Sequence, residues 1–469
     1  MALNIVIMAA GKGTRMKSAT PKVLHKLAGR SLLAHVLKSC EPLHAAARIV
    51  ITGHGAELVE AAVAADIGTA AQAAGGIGFV RQMPQLGTGH AIQQAVPALV
   101  GEGTTLILNG DVPLIETATA KALIDACAGH ALVLLTVDLF DPSGYGRILR
   151  DPDDDGVLAI VEHKDATPEQ RLIHEGYSGM MAAPTAALKR WVGQLSNNNA
   201  QGEYYLTDIV AMAVAEGLPV LGIKASSETE VLGVNDPVQL AQLERAFQAA
   251  QAEDLMHAGM RLADPARFDL RGTLTHGQDV EIDVNCVFEG EVELGDGVRI
   301  GANCVIRNAK IAAGARIHEF SHIDGEKPGG ASVGAGALIG PFARLRPGAQ
   351  LGADVHIGNF VEVKNSTLAK GAKANHLAYL GDATVGERVN YGAGAITANY
   401  DGANKHRTTI GDDVHVGSNC VLVAPVTLGK GATIGGGSTI TKDVNPGDLA
   451  VARGKQVALT GWIRPAKKR

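Results

Sequence analysis

Aliphatic residues recur at every sixth position through the second half of the chain, and glycine often follows them. The step is kept in three registers, whose members are Ile282, Phe288, Leu294, Ile300 and Ile306; Val333, Ile339, Leu345, Leu351, Ile357 and Val363; and Ile410, Val416, Leu422, Leu428, Ile434 and Ile440. An α-helix repeats every 3.6 residues and a strand every two, so neither produces this step. Hexads with one inward aliphatic residue are typical of a parallel β-helix, in which three hexads close one coil of about eighteen residues.

An antiparallel β-sandwich is the alternative for these short apolar segments. Sandwiches need turn signals about every 8–12 residues, whereas the six-residue step continues within each register. The registers are interrupted briefly at Ile306 to Ile311 and at Val363 to Leu368, and at length by the polar segment 398–407. Polar insertions in a solenoid become surface loops. We therefore expect 398–407 to form an arm that reaches a neighbouring subunit.

Apolar runs alternate with helical segments in the first half of the chain. The predicted strands are 4–10, 48–52, 105–108 and 131–137, and the predicted helices include 57–65 and 118–128. Short continuous apolar runs are typical of strands that are buried on both faces. The alternation predicts a Rossmann-like parallel sheet covered by helices, and ligands bind beyond the carboxyl ends of such strands.

A single helix is predicted between these two regions. Asp236 is a good N-cap, Pro237 is favoured at the first helical position, and Gly259 can end the helix. Its predicted apolar face consists of Leu240, Leu243, Phe247 and Ala250. The segment alone fits an ordinary domain helix nearly as well, but the hexads that begin near Ile282 favour a linker. The predicted domains are 1–235, the helical linker 236–262, and a left-handed parallel β-helix of hexapeptide repeats with its tail, 263–469.

The composition narrows the class of protein. The net charge of −6 implies no general nucleic-acid surface, and an aromatic content of 4% suits a coil of small and branched residues. The five cysteines form no C-x-x-C pair, which is typical of reduced thiols in a cytosolic protein. The sequence begins without a leader signature, and no apolar run is long enough to span a membrane. We therefore expect a soluble, cytoplasmic protein that binds neither nucleic acid nor membrane.

A glycine-rich loop follows the first predicted strand. Gly11 and Gly13 let the backbone approach a phosphate chain, while Lys12, Arg15 and Lys22 add positive charge. The spacing of a Walker loop is absent. The loop predicts a nucleotide site of another kind.

Asp111 comes directly after the predicted strand 105–108. A carboxylate at a strand end can hold Mg²⁺, which uses one or two carboxylates together with substrate phosphates. It can equally cap the next turn. The phosphate loop upstream favours the metal.

Further motifs accompany these residues. They are Gln82, QLGTGH at 85–90, GYGRI at 144–148, VEHKDA at 161–166, GEYY at 202–205 and GVN at 233–235. The phosphate loop and Asp111 resemble the nucleotidyltransferases that join sugar 1-phosphates to nucleoside triphosphates. With all the motifs and the hexads, essentially the whole chain resembles the bacterial bifunctional family of N-acetylglucosamine-1-phosphate uridyltransferases and glucosamine-1-phosphate acetyltransferases.

The resemblance implies roles for residues of the first domain. Those implied to bind UTP or its sugar product are Met8, Ala9, Ala10, Gly11, Arg15, Lys22, Gln82, Gly87, Thr88, Asn109, Gly110, Asp111, Gly146, Glu162, Tyr177 and Asn235. Asp111 and Asn235 are implied to hold a catalytic Mg²⁺. Asn109 stands where the family often has Tyr, and Tyr177 where it usually has Asn, which leaves the details of sugar binding open.

His376 is the candidate general base of the second domain. A lone histidine is more often structural, but the resemblance makes this imidazole the base that accepts a proton near neutral pH. Glu362 is a candidate for the carboxylate that orients it. The residues implied to bind the acetyl-acceptor sugar phosphate are Arg346, Lys364, Tyr379 and Asn390. Those implied along the acetyl-CoA path are Ala393, Asn399, Tyr400, Ser418, Gly436 and Arg453, and of these Asn399 and Tyr400 also border the sugar.

The resemblance implies two reactions in one homotrimeric enzyme. Glucosamine 1-phosphate is acetylated from acetyl-CoA, and the product reacts with UTP to give UDP-N-acetylglucosamine and pyrophosphate, which feeds peptidoglycan and lipopolysaccharide synthesis. One alternative is a single-activity sugar-1-phosphate nucleotidyltransferase whose β-helix only assembles subunits. Another is a non-catalytic ligand sensor with the same folds. His376 and its neighbours disfavour the first alternative, and Lys22, Asp111 and Asn235 disfavour the second.

Overall fold

The computed structural model describes residues 2–72, 76–153, 155–465 and 467, with the side chains of 66–72 left out. The chain separates into two compact units, Met1–Phe247 and Gln248–Arg469. In the part of the chain that the structure describes, no helix is long and apolar enough to cross a membrane.

The first unit is built on a nine-stranded sheet. Its strands are Ala2–Met8, Ala47–Thr52, Ile77–Arg81, Gly103–Asn109, Leu132–Asp138, Gly146–Arg150, Val157–Val161, Glu175–Pro184 and Val220–Lys224. A short hairpin pairs Lys26–Leu27 with Arg30–Ser31. The four strands predicted from apolar runs are all present, with bounds that differ by at most two residues.

The helices of the first unit cover this sheet with two apolar clusters. They are Leu32–Cys40, Ala56–Gln72, Thr88–Ala95, Thr117–Cys127, Thr185–Val192, Ile209–Ala215 and Glu228–Val231. Short 3-10 turns lie at Thr14–Met16, Lys22–Leu24, Glu41–Leu43, Val96–Ala98, Gln170–Leu172 and Leu206–Asp208. Both predicted helices are therefore confirmed.

One central strand departs from the predicted parallel arrangement. Glu175–Pro184 lies between Leu132–Asp138 and Gly103–Asn109 and runs antiparallel to both. Its register shifts between Tyr177 and Met181. The strand is mostly buried but includes Gly176 and Gly179, and it does not show the continuous aliphatic run by which the other central strands were predicted.

The second unit is a parallel β-helix with three faces, and every residue in the three hexad registers is buried in one core. Coils are stacked eighteen residues apart where no insertion intervenes, as for Asn285 and Asn303. Asn390 pairs with His415 across the coil that holds the loop 398–407. The predicted β-helix and its interruptions are confirmed.

The strands of the first face are Arg261–Leu262, Glu281–Ile282, Arg299–Ile300, Arg316–Ile317, Leu338–Ile339, His356–Asn359, Lys373–His376, Asn390–Tyr391, His415–Val416, Thr433–Ile434 and Leu449–Ala450. Three longer strands turn the corner between the second and third faces: Phe268–His276, Cys286–Leu294 and Val305–Ile311. The second face continues with His322–Asp324, Arg344–Leu345, Glu362–Lys364, Tyr379–Gly381, Ile396–Ala398, Val421–Val423 and Thr439–Ile440. The third continues with Ala331–Val333, Ala349–Leu351, Ser366–Leu368, Ala383–Val385, Thr408–Ile410 and Val426–Leu428, and a 3-10 turn, Pro265–Arg267, precedes the second face.

The predicted connecting helix is Pro237–His257, which begins in the first unit and ends in the second. The Asp236 carboxylate accepts hydrogen bonds from the backbone N–H of Val238 and Gln239, both at 2.9 Å, so the predicted N-cap is confirmed. Leu243 is buried with the partly buried Leu240 and Phe247 in a small apolar cluster of the first unit. Ala250 is exposed instead, because the second half of the helix buries Gln248 and Ala252.

Candidate active sites

The glycine-rich loop of the first unit turns sharply at Gly13, whose φ is 59°. A Cβ at Gly13 would lie 2.7 Å from the Cβ of Lys22, so glycine allows the lysine to lie directly against the loop. Gly11 has open space where a Cβ would be. A cavity of about 340 Å³ opens here, lined by Lys12, Gly13, Thr14, Arg15, Lys22, Gln85, Glu203 and Asn235. Its basic lining and free backbone suit an anionic phosphate chain.

Lys22 reaches two oxygens at the edge of this cavity. Its ammonium contacts Asp111 Oδ2 and lies 3.2 Å from Asn235 Oδ1. Backbone hydrogen bonds fix both positions: Gly110 donates to Met8 O at 2.9 Å, and Val234 donates to Asp111 O at 2.9 Å. Three distant segments of the chain therefore bring their polar groups to one point.

This arrangement fits a divalent cation. Among the described residues, no cluster of three or more His, Cys, Asp or Glu is placed to enclose a metal. Mg²⁺ does not need such a cluster, because it commonly takes one or two protein oxygens and completes its shell with phosphate and water. Asp111 and Asn235 already direct two oxygens at one cation, the ammonium of Lys22. The two predicted ligands are therefore together, and oxygen donors are the kind that Mg²⁺ prefers.

Gln82 and Gly87 face each other beside the end of the strand Ala47–Thr52, where Gln82 N donates to Thr52 O at 2.8 Å. Gln82 is only 4% exposed, and its Nε2 donates to Gly87 O at 2.8 Å. Gly87 has a φ of 105°, and a Cβ there would lie 2.6 Å from Tyr204 O, so the position admits only glycine without a shift. Thr88 Oγ1 accepts from Leu206 N at 3.1 Å. These residues form one wall next to the cavity.

The backbone on the opposite side comes from the end of the first strand. Met8 is half-buried, while Ala9 and Ala10 are buried. Gln85 Nε2 donates to Ala10 O at 2.9 Å, and this contact joins the strand end to the segment with Gln82. Arg15 lines the cavity from the loop. Of the residues implied for the nucleotide, Arg15, Lys22 and Asn235 line the cavity.

Gly146, Glu162 and Tyr177 converge in the same unit. Tyr177 pairs with Gly146 in the antiparallel ladder, and a Cβ at Gly146 would lie 3.8 Å from Glu162 Oε2. Burial raises the pKa of Glu162, with Asp165 and Asp208 adding to the rise, while the hydrogen bond from Thr207 Oγ1 at 3.0 Å opposes it.

Tyr177 and Asn109 are the two departures noted in the sequence. The Tyr177 ring is buried and its hydroxyl has no hydrogen-bond partner in the part of the chain that is described. Burial raises the pKa of this phenol, and the nearby Glu162 adds to the rise. Asn109 donates to Ser178 O at 3.4 Å, and a Cβ at Gly179 would lie 2.4 Å from Asn109 Nδ2. Asn109 therefore packs against the strand of Tyr177 at a point where only glycine fits.

In the second unit, His376 lies at a corner after the first face and is exposed. Its Nδ1 is 3.0 Å from Asn359 Oδ1 on the preceding coil, because Asn359 and His376 are paired in register. Glu362 is bound elsewhere: it accepts from Arg346 at 2.8 Å and from Arg344 at 3.3 Å. The expectation that Glu362 orients His376 is therefore wrong, and Asn359 makes that contact.

Arg346 and Lys364 lie together on successive coils, where Arg346 N donates to Val363 O at 2.8 Å. The ammonium of Lys405, from the loop 398–407, lies close to that of Lys364, and the proximity of the two is the largest cause of a lowered Lys364 pKa; burial and Arg346 lower it further. Three cations therefore converge. Lys405 was not among the residues predicted from the sequence, although its place in the polar interruption was a signal.

The remaining predicted acceptor residues are divided between faces. Tyr379 pairs with Glu362 on the second face, and its hydroxyl lies 2.2 Å from where a Cβ of Gly381 would be. Asn390 lies on the first face between Lys373 and His415. Tyr379 is thus beside the cationic cluster, and Asn390 is on the other side of the His376 corner.

The corner that carries His376 continues as a column along the β-helix. Gly394 N donates to His376 O at 3.3 Å, Asn419 N donates to Ala393 O at 2.8 Å, and Gly437 N donates to Ser418 O at 2.8 Å. Arg453 Nη1 then donates to Gly436 O at 2.8 Å. The predicted acetyl-CoA residues Ala393, Ser418, Gly436 and Arg453 are therefore aligned behind His376.

The loop 398–407 is tied to this unit by Asn399 and stiffened by Asp401. Asn399 is buried and donates to Asp382 Oδ2 at 2.5 Å. The backbone N–H of Asn404, the His406 ring and the N–H of Ala403 hold the pKa of Asp401 well below its usual range. Tyr400 is 62% exposed and bridges to Lys405 within the loop. The tip of the loop therefore presents Tyr400 outward.

Taken together, a nucleotidyltransferase-like unit and a hexapeptide β-helix, each with a polar site, define a two-part transferase. The MobA-like NTP transferase domain family matches residues 5–194, and the bacterial transferase hexapeptide family matches 274–308, 330–365 and 407–442. The bifunctional protein GlmU of Methylibium petroleiphilum is 73% identical over 100% of both chains. That of Paracidovorax citrulli is 66% identical over 99% of both. The chain therefore belongs to the GlmU family of bifunctional proteins.

Among solved structures, a nucleotidyl transferase from Methanothermobacter thermautotroptrophicus aligns with 52% of this chain and 97% of its own, at 20% identity and a TM-score of 0.36.

Proposed function

We propose that this bifunctional transferase of UDP-N-acetylglucosamine synthesis carries its two activities in two separate sites, one in each compact unit. The activities follow from membership of the family. The proposed division is uridyl transfer within 1–235, a helical linker at 236–262, and acetyl transfer within 263–469. The observation that carries the proposal is that each unit holds a separate set of polar groups with the charge its reaction needs.

In the first unit, the phosphate of N-acetylglucosamine 1-phosphate is proposed to attack the α-phosphorus of UTP and release pyrophosphate. Lys22 and Arg15 stabilise the phosphate charge from the cavity edge. Asp111 and Asn235 would hold Mg²⁺, which when bound supplies charge neutralisation on the phosphates. Gln82, Gly87 and Thr88 flank the base, with Met8, Ala9, Ala10, Gly11, Asn109 and Gly110 along the nucleotide.

The acceptor sugar is proposed to lie against Gly146, Glu162 and Tyr177. Gly146 leaves space close to the carboxylate of Glu162. The Tyr177 hydroxyl has no partner among the described residues, and a buried hydroxyl without a partner is costly unless a ligand supplies one. Sugar hydroxyls can form hydrogen bonds with both the Glu162 carboxylate and the Tyr177 hydroxyl.

In the second unit, His376 is proposed to take the proton from the amine of glucosamine 1-phosphate as it attacks the thioester of acetyl-CoA. With Asn359 Oδ1 accepting from the Nδ1–H, the Nε2 lone pair remains to receive the proton. Arg346, Lys364 and Lys405 provide positive charge for the sugar phosphate. Tyr379 and Asn390 complete that site, and the column of Ala393, Ser418, Gly436 and Arg453 would receive acetyl-CoA.

The active form is proposed to be a homotrimer. Asn399 anchors the loop 398–407, whose exposed Tyr400 would contact a neighbour's acetyl site. Closed cyclic assemblies are the usual solution for soluble oligomers. The buried free cysteines among the described residues fit the cytoplasmic location expected from the sequence.

Assays of both half-reactions on the purified chain test the proposal. Acetyl transfer and uridyl transfer are measured separately, each with its own acceptor supplied. Uridyl transfer without acetyl transfer would favour a single-activity enzyme with a structural β-helix. Binding of UTP and acetyl-CoA without either reaction would favour a sensor.

A further inference from the structure

The carboxamide of Gln82 has a fixed orientation. Its Nε2 donates to Gly87 O at 2.8 Å and lies 3.2 Å from His90 Nδ1. A backbone carbonyl can only accept, so the NH₂ end of Gln82 must face Gly87. The second N–H of that group then points at His90 Nδ1, which can receive it only as an unprotonated nitrogen.

This contact determines the tautomer of His90. A neutral imidazole has one acceptor nitrogen and one N–H, so a Nδ1 that accepts from Gln82 requires the hydrogen on Nε2. Gln94 places its Nε2 3.2 Å from His90 Nε2. Since both nitrogens would then donate, the Nε2–H tautomer requires the Gln94 carboxamide to be turned over, so that its Oε1 accepts from the ring. Tyr204 lies beside the imidazole, with ring centroids 6.2 Å apart. The ring of His90 is thus held on three sides.

The same contacts leave the oxygen of Gln82 as an acceptor. Both N–H groups are used, and among the described residues no hydrogen bond reaches Gln82 Oε1. The side chain is 4% exposed, so a ligand group that meets this oxygen is largely shielded from water. A buried acceptor selects a ligand that carries an N–H and disfavours one that brings a second lone pair.

Uracil and cytosine differ in the hydrogen-bonding group that they carry at N3. Uracil carries N3–H between two carbonyls, whereas cytosine has a lone pair at N3. If the carboxamide were turned over, it would offer N–H groups and suit cytosine instead. The orientation of a single side chain can therefore set the preference between the two bases.

We propose that His90, held by Gln94, is a positioning residue that fixes the carboxamide of Gln82 and so makes the nucleotide site select uracil over cytosine. The proposal rests on the proposed function, in which Gln82 meets the base of UTP. His90 need not touch the nucleotide. A purely structural role for His90 would change stability, or binding of both nucleotides equally, and would leave their ratio unchanged.

The test compares UTP with CTP in wild type and in His90→Leu, His90→Asn and Gln94→Leu. Leu removes one of the two acceptors that hold the NH₂ group and leaves only Gly87 O. The preference for this orientation therefore weakens, and His90→Leu is expected to lower the UTP/CTP ratio of kcat/KM about fivefold, the size of one neutral hydrogen bond. Asn can still accept through its oxygen and is expected to restore most of the ratio. Gln94→Leu should lower it less.

His174→Leu is the matched control. His174 also lies in the first unit, where it is exposed, and its Nδ1 meets Leu139 O at 2.9 Å instead of Gln82. The His174→Leu variant should keep the wild-type UTP/CTP ratio of kcat/KM. Calorimetric binding of UTP and CTP, thermal unfolding and acetyl transfer by the same preparations identify a variant that has merely lost its fold.

The tautomer gives an independent measurement. In ¹⁵N-histidine-labelled protein, long-range ¹H–¹⁵N correlation should place the His90 hydrogen on Nε2, and a hydrogen on Nδ1 would overturn the proposal. An unchanged UTP/CTP ratio in folded His90→Leu would also overturn it while the proposed function stands. A wild-type protein that neither binds UTP nor transfers uridyl groups would instead refute the function.

Discussion

Lys22 and Asp111 form an ion pair at the point where the glycine-rich loop meets the end of the strand Gly103–Asn109. Both side chains are largely buried, at 14% and 21% exposure. The ammonium also contacts Asn235, so it lies between the two oxygens proposed for Mg²⁺. A metal ion cannot bind these two oxygens while the Lys22 ammonium occupies the same position. When the phosphates of a nucleotide bind, Lys22 can pair with them instead.

The first prediction follows from this competition. Lys22→Met should bind Mg²⁺ about fivefold more tightly than wild type without nucleotide, because the competing ion pair is gone, while uridyl transfer falls sharply. Titration calorimetry measures the first effect. Lys12→Met is the control, since Lys12 lines the same cavity without touching Asp111. Weaker Mg²⁺ binding in Lys22→Met would contradict the competition.

The second prediction concerns Glu162. Burial raises its pKa, so the folded state holds the proton more tightly than the unfolded chain. Stability from this group is therefore present at low pH and lost as pH rises through the raised pKa. Glu162→Gln cannot ionise, so its thermal stability relative to wild type should increase between about pH 4 and about pH 8.

Glu175→Gln gives the opposite sign and serves as the comparison. Arg150 lowers the pKa of Glu175, and the pair is 2.7 Å apart. That stability is present above the ordinary carboxyl pKa and is lost as pH falls. The variant should be less stable than wild type near pH 8, and the difference should close only as pH falls below about 4. Parallel behaviour of the two variants would refute the assigned shifts.

The third prediction separates Asn359 from Glu362. Asn359→Ala removes the hydrogen bond that orients His376 and should lower the kcat of acetyl transfer about tenfold, with little change in the KM for glucosamine 1-phosphate. Glu362→Gln loosens Arg346 and should act mainly on that KM. Steady-state kinetics distinguish them. If Glu362→Gln lowers kcat and Asn359→Ala does not, the carboxylate is the orienting group after all.

The fourth prediction concerns two glycines of the β-helix. A Cβ at Gly436 would lie 3.4 Å from Ser418 O, an ordinary contact, whereas a Cβ at Gly392 would lie 2.5 Å from Val416 O. Gly436→Ala should keep its melting temperature and its acetyl transfer rate within about twofold. Gly392→Ala should lower the melting temperature by several degrees. Equal melting temperatures would show that the coils can separate at this corner.

The β-helix could be predicted in detail because its period is long and unusual. Every residue of the three predicted registers between Ile282 and Ile440 is buried, and even the short breaks mark true changes of register. Other core residues, such as Cys286, Val292 and Leu380, lie outside those registers and were not predicted. The central antiparallel strand Glu175–Pro184 could not be predicted in this way, because its glycines and register shift interrupt the apolar pattern. A strand's direction also depends on partners that are distant in sequence.

The candidate sites could be predicted as sets of residues but not as contacts. The convergence of Lys22, Asp111 and Asn235 follows from motifs at strand ends. The partner of His376 could not be predicted from the motifs, because the coil register places Asn359, and not Glu362, beside it. Lys405 could not be predicted as a site residue, because only the folded loop brings its ammonium close to Lys364.

The central claim is that two independent sites carry the two reactions, and the most direct test measures both reactions on His376→Ala and Asp111→Ala. His376→Ala should lose acetyl transfer by about 10²–10⁴-fold and keep normal uridyl transfer from supplied N-acetylglucosamine 1-phosphate. Asp111→Ala should nearly lose uridyl transfer and keep acetyl transfer. The oligomeric state of both variants is measured as well, and an unchanged state shows that neither variant has misfolded. If His376→Ala keeps near-normal acetylation from about pH 6 to about pH 9, or if either variant loses both activities while folded, the account is contradicted.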